Sequence, residues 1–192
     1  MIQPRLIAAL LLAVLPAGLV PAVSHATDTA TAAPVAYYPE NADAAKVLDA
    51  ALAAAKAEGK LAVVVFGADW CHDSQGLARV LTSDAFKAEF GARFSVTFID
   101  VGTPQVGQGR NLDLAKRFGI KRLEGTPAMV VISPKGKRLN SKSDAVSWRN
   151  ADSRPVETIL GWFRKFAKKT ALATGHGSPV GVRREQADDF RY

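Results

Sequence analysis

Cys71 is the only cysteine in a chain of 192 residues, and it stands in the run Trp70-Cys71-His72-Asp73-Ser74. A lone thiol closes no intrachain disulfide, so it either pairs with another molecule or acts as a free nucleophile. The reactive species is the thiolate, and an unperturbed thiol with a pKa of about 8.5 is mostly protonated at neutral pH. A helix N-terminus shifts that balance, because its unpaired N–H groups and its dipole favour an anion. The residues after Cys71 read as such a helix, so an activated thiolate is expected there. A protonated His72 would help it and Asp73 would oppose it. Asp69 and Asp73 read as solvent-exposed caps rather than as a catalytic carboxylate pair. With one cysteine and three histidines, two of them (His25 and His176) in terminal segments, no metal-ligand set is expected.

Several elements must position this thiol. Ala44, Val47, Leu48, Ala51, Leu52 and Ala55 recur at helical spacing, and Gly59 ends the pattern. Leu61 to Phe66 is a continuous, valine-rich apolar run, the signature of a strand buried on both faces. Gly67 to Trp70 leaves that strand, and the helix opened by Cys71 runs towards Leu81. Ser83 or Asp84 caps a short helix, Ala85 to Phe90, before a second strand, Phe94 to Val101. Thr103 to Arg110 reads as a loop with no phosphate-binding glycine spacing, and Asn111 caps a helix from Leu112 to Phe118. Pro127 to Ser133 is a third strand. A turn at Pro134-Lys135-Gly136-Lys137 returns the chain along Lys137 to Asn140. A closing helix follows Pro155, with Val156, Ile159, Leu160, Phe163 and Ala167 facing inward and Arg164, Lys165, Lys168 and Lys169 facing water. The alternation of elements implies parallel crossovers followed by an antiparallel hairpin: an α/β fold with a central mixed sheet flanked by helices on both faces.

The ends of the chain bear on its compartment. Arg5 precedes an apolar run, Leu6 to Val20, and Ser24-His25-Ala26 supplies small residues at a cleavage site. That order reads as a secretory signal peptide over 1–26. The apolar run is shorter than the roughly 20 residues that cross hydrocarbon. The expected mature chain is therefore exported, without a membrane span: periplasmic in a Gram-negative source and otherwise secreted. Residues 27–40 read as a flexible leader, 41–173 as one domain, and 174–192 as a disordered tail. The formal charge of +7 falls to +6 when Arg5 leaves with the signal peptide. It permits nucleic-acid binding on charge alone. An exported chain without an aromatic-interleaved basic motif reads instead as having a solubilising surface, and no nucleic-acid partner is expected.

The run from Val63 to Ser74 resembles the active-site strand, turn and helix of the thioredoxin superfamily. Glu124-Gly125-Thr126-Pro127-Ala128 is similar to that family's second signature, the cis-proline loop lying beside the cysteine. Arg117-Phe118-Gly119-Ile120 is similar to the helix end before that loop. The resemblance spans about Asn41 to Ala173 and implies a thioredoxin-like fold. It makes Cys71 the nucleophile and places Trp70, Thr126 and Pro127 at a substrate-peptide surface. Two positions depart from the family's pattern. Ser74 stands where dithiol members carry the resolving cysteine, and Val65 stands where they bury a carboxylate that deprotonates it.

Ser74 cannot resolve a mixed disulfide, although its hydroxyl could donate a hydrogen bond to the thiolate. Two functions are consistent with this set. In the first the chain is a monothiol thiol–disulfide exchange factor with Cys71, His72 and Ser74 as its catalytic group. It would act on protein or peptide thiols and disulfides and have no cofactor. Glutathione, another external thiol, or a membrane or soluble redox partner would release the product. In the second it is a non-catalytic peptide-binding or chaperone-like module.

Overall fold

The computed structural model describes residues 35–40 and 43–173. The segments read as signal peptide (1–26), first part of the leader (27–34) and tail (174–192) lie outside the described residues. In chain order the elements are α1 (Ala44–Ala57), β1 (Leu61–Gly67), α2 (His72–Thr82), α3 (Asp84–Phe90), β2 (Phe94–Asp100), β3 (Gly102–Thr103), β4 (Gln108–Gly109), α4 (Leu112–Arg117), β5 (Ala128–Ile132), α5 (Lys142–Val146) and α6 (Val156–Ala173). No described helix is long and apolar enough to cross a membrane.

The apolar run of β1 becomes the middle strand of a three-stranded sheet ordered β2-β1-β5. Successive side chains of a strand point to opposite faces, so β1 feeds two cores. Val63 and Val65, with Met129 and Val131 of β5, pack against Leu77 and Ala78 of α2, Phe86 and Phe90 of α3, and Ile159 and Phe163 of α6. Val64 and Phe66, with Val130 and Ile132, pack against Leu48 and Ala55 of α1, Leu114 and Ala115 of α4, and Ala145 of α5. Helices therefore cover both faces, as the pattern of the sequence implied. Phe163 is the hub of the first core: its ring centroid lies 4.9 Å from Phe86, 5.3 Å from Phe94 and 4.9 Å from Trp162, each at a steep angle. Edge-to-face pairs of this kind add to the gain from burial alone.

Strand direction differs in part from expectation. β1 and β2 are parallel, from Leu61↔Phe94 to Gly67↔Asp100. β5 is antiparallel to β1, with Phe66↔Ala128 at one end and Ala62↔Ile132 at the other. β2 ends beside Gly67 and β5 begins beside Phe66, so the chain returns to the end of the sheet it left. The six residues of α4 cover only about 9 Å, and the extended stretch after it delivers the chain back to that end.

The returning strand, Lys137 to Asn140, does not form as a strand. Pairing starts with Ser133 N–H donating to Lys137 O (2.9 Å) and Leu139 N–H to Val131 O (2.7 Å), leaving one bridge, Ile132↔Arg138. The Asn140 side chain then takes the place of a backbone, accepting from Val131 N–H (3.0 Å) and donating to Met129 O (2.9 Å). The stretch read as a loop after β2 carries a small ribbon, β3 and β4, joined by a 3-10 turn over Pro104–Val106. Asn111 precedes α4 but does not cap it; its amide donates to Asp100 O at 2.9 Å. Val156, expected inward, is exposed, because α6 meets the core only from Ile159 onward.

Replacing Phe163 by Ala is expected to cost about 3–5 kcal/mol, the range for truncating a large core aromatic, read as a lower midpoint in urea unfolding. Val156→Ala should fall within about 0.5 kcal/mol of wild type.

Candidate functional site

Cys71 sits where β1 hands over to α2. Its backbone is extended (φ −92°, ψ 118°) and it is the N-cap residue of α2, whose first helical residue is His72. Its N–H donates to Ala68 O (3.1 Å) and its C=O accepts from Gln75 N–H (3.0 Å). The turn is thus closed on both sides of the cysteine. The side chain is half-buried. The thiol donates to the Thr126 carbonyl with Sγ–O 3.6 Å, and the Thr126–Pro127 peptide bond is cis. Two distant segments, 67–75 and 124–127, therefore meet at one sulfur.

The other residues singled out in the sequence divide into two groups. Trp70 is 47 % exposed beside the thiol, and its indole N–H donates to Gly102 O at 3.1 Å. This bond fixes the ring while leaving its face open. Thr126 and Pro127 are buried. His72 is exposed and has no partner among the described residues. Ser74 is fully buried, and its hydroxyl oxygen has no hydrogen-bond partner among the described residues. The expected bond from Ser74 to Cys71 is therefore not present. The hydroxyl lies against Gly67 and the Tyr38 ring instead: a Cβ on Gly67 would sit 2.7 Å from both. Only glycine leaves room there for the strand, the helix and the tyrosine together.

Asp69 and Asp73 are not exposed caps. Asp69 accepts from the N–H groups of Tyr37 (2.9 Å) and Tyr38 (3.0 Å), and Gln75 Nε2 donates to the Asp69 carbonyl. Asp73 accepts from Asp152 N–H at 3.0 Å. Tyr38 is 1 % exposed and donates its phenol to Ser74 O at 3.2 Å. The last residues of the stretch read as a leader are thus a strap folded over the active-site turn. An aromatic pair in a segment of Ala, Thr and Pro was the signal for it. Burial holds the Tyr38 phenol well above its ordinary pKa; the Ser74 side chain beside it works against that rise and the negative charges of a Cys71 thiolate and Asp69 add to it, so the phenol stays protonated. Beneath Trp70, Asp100 accepts from Gly102 N–H (3.2 Å) and from Arg110 Nε (3.1 Å). Burial raises the Asp100 pKa and the arginine works against that rise. Among the described residues no three His, Cys, Asp or Glu side chains come together as metal ligands.

Residues 43–134 match a family described as thioredoxin-like. A disulphide isomerase from Xylella fastidiosa Temecula1 is 33 % identical, with a TM-score of 0.62; the match covers 70 % of this chain and 99 % of that one. The chain belongs to the thioredoxin-like superfamily. A thioredoxin from Thermus thermophilus is 26 % identical over 77 % of this chain and 98 % of that one, with a TM-score of 0.44. No curated protein matches the chain. Within the superfamily's pattern, Val65 is wholly buried between Phe98 and Met129. An unpaired carboxylate at that position would cost stability, and without a resolving thiol it would have no proton to take.

Asp69→Ala removes the acceptor of two strap amides, each a bond to a charged group worth about 1.5–3 kcal/mol at most and less where water competes. Hydrogen exchange at the Tyr37 and Tyr38 amides should accelerate at least tenfold, with the amides of β1 little changed.

Proposed function

We propose that this chain is a monothiol thiol–disulfide exchange factor acting through Cys71. One observation carries the reading: a half-buried sulfur at the N-terminus of α2, in contact with the carbonyl preceding a cis-proline. Membership in the thioredoxin-like superfamily supports redox chemistry at thiols, and the relative from Xylella fastidiosa is a disulphide isomerase.

In the exchange step the Cys71 thiolate attacks one sulfur of a substrate disulfide. A Cys71–S bond forms, the old S–S bond breaks, and the departing thiolate takes a proton from solvent. No electron leaves the pair of molecules. The unpaired N–H groups at the start of α2 favour the attacking anion. Gly125 and Thr126 have backbone N–H groups without partners among the described residues, which supports an added substrate strand beside Pro127. In this reading a protonated His72 contributes positive charge, and Trp70, exposed beside the thiol, offers its face to the bound peptide. Ser74 has no thiol with which to release the adduct, so glutathione or a partner's cysteine must attack it. In this reading the chain works after export, in a periplasm or outside the cell, where disulfides persist.

Iodoacetamide should alkylate Cys71 at pH 7 faster than it alkylates free cysteine, with Cys71→Ser as the blank. The protein should then accumulate a mixed disulfide with an offered disulfide and hold it until a thiol is added. Alkylation slower than free cysteine with no adduct would leave the peptide-binding module as the reading. Ser74→Cys should release the adduct without an added thiol. That substitution puts a second thiol three residues after Cys71, where dithiol members of the superfamily carry the resolving cysteine.

A further inference from the structure

Next to the Gly125-Thr126 segment that meets the sulfur stands a cation that the exchange step described above does not use. Arg149 lies in the turn after α5, and its guanidinium is laid along Gly125: a Cβ there would sit 3.1 Å from Arg149 Nε and 3.4 Å from its Cζ. Gly125 precedes Thr126, whose carbonyl meets Cys71 Sγ. At 3.8 Å per Cα step, the guanidinium is on the order of 10 Å from the sulfur, one or two residues along a bound peptide.

Arg149 is exposed and has no ion pair or hydrogen bond among the described residues. The neighbouring carboxylates are committed elsewhere. Glu124 pairs with Arg122 at 2.8 Å, Asp73 accepts from Asp152 N–H, and Asp69 holds the strap. The turn that carries Arg149 is also fixed. Trp148 beside it is fully buried, with the Arg154 guanidinium 4.7 Å over its ring. Arg154 donates to Ser147 O and, through Nε, to Asn150 Oδ1 (2.9 Å), clasping the turn on both sides of Arg149. Asp152, through its bond to Asp73 and its ion pair with Arg79 (2.6 Å), ties the same segment to α2. An unpaired guanidinium carried on a fixed turn and lying over a bare glycine can receive a planar anion, because its donors match a carboxylate in pairs.

We propose that Arg149 is a specificity residue: it binds a carboxylate carried by the substrate within a residue or two of the sulfur that Cys71 attacks. The substrate class is an acidic thiol or disulfide, either a small carboxylate-bearing thiol such as glutathione or a peptide segment with Asp or Glu beside its cysteine. The proposal rests on the exchange reading for the word substrate, and on Arg149 alone for the binding.

The test measures rates of mixed-disulfide formation by the full chain, using intact mass. One pair of probes is glutathione disulfide and the uncharged 2-hydroxyethyl disulfide. A second pair is two disulfide-linked peptides differing only in Asp or Asn next to the cysteine. In wild type the anionic member of at least one pair should react faster. That ratio should fall roughly three- to tenfold in Arg149→Gln and return in part in Arg149→Lys, which keeps the charge and loses the fork. The pair that responds identifies the source of the carboxylate. A ratio of one in wild type, a ratio unmoved by Arg149→Gln, or a lysine variant no better than glutamine would overturn the proposal. Failure of exchange itself shows differently, as no adduct with any probe. In that event Cys71→Ser is titrated with S-methylglutathione and with its dimethyl ester, followed by NMR. Tighter binding of the acid, lost in Arg149→Gln, upholds the proposal; equal binding overturns it.

Discussion

Everything near the sulfur depends on β1 being buried on both sides. Six of its seven residues are buried, and their alternation anchors two separate cores. A strand so held has no freedom to shift register, because a slip of one residue would exchange the contents of the two cores. Its last residue, Gly67, is therefore fixed, and with it the start of the turn that carries Cys71. The antiparallel β5 begins opposite Phe66, which brings Thr126 and Pro127 to the same level. The contact between Cys71 and Thr126 follows from strand pairing rather than from any attraction between the two residues.

The polar groups around the thiol are arranged around the turn's shape more than its charge. Asp69, two residues before Cys71, is occupied by two backbone amides of the strap. Tyr38 spends its phenol on a helix carbonyl, and its proton is retained over the whole working pH range. Asp100 is drawn below Trp70 by Arg110 and Gly102. Each of these bonds would suit a rigid frame. Among the groups left without a partner are His72 on the surface and the N–H groups at the start of α2, the ones through which the proposed exchange would favour a thiolate.

Legibility in the sequence tracked the range of the interactions. The period-3.6 pattern gave α1, and the apolar runs gave β1, β2 and β5, because local burial alone dictates them. Trp70-Cys71 and Thr126-Pro127 were readable as motifs, and the structure brings both to one place. The direction of β5 depends on where the chain re-enters the sheet, and no local pattern encodes that. Lys137 to Asn140 reads as a returning strand from the turn before it, but a single amide, Asn140, claimed the ladder. Tyr38 looked like part of a leader because its partners, Asp69 and Ser74, lie more than thirty residues away. Arg149 could not have been found from the sequence at all, since its meaning comes from the glycine it crosses.

Ser74 closes the argument about mechanism. A buried hydroxyl without a partner costs about 1–3 kcal/mol, and an alanine there would avoid the penalty. Position 74 nevertheless keeps a small polar atom beside Gly67 and Tyr38. In the superfamily's pattern this is the place of the second thiol, and here only one thiol is present. In the proposed exchange, attack needs only Cys71 and the helix end, and the adduct cannot be broken from within. Turnover under that proposal belongs to a thiol from outside, and the open face beside Cys71 is that of Trp70.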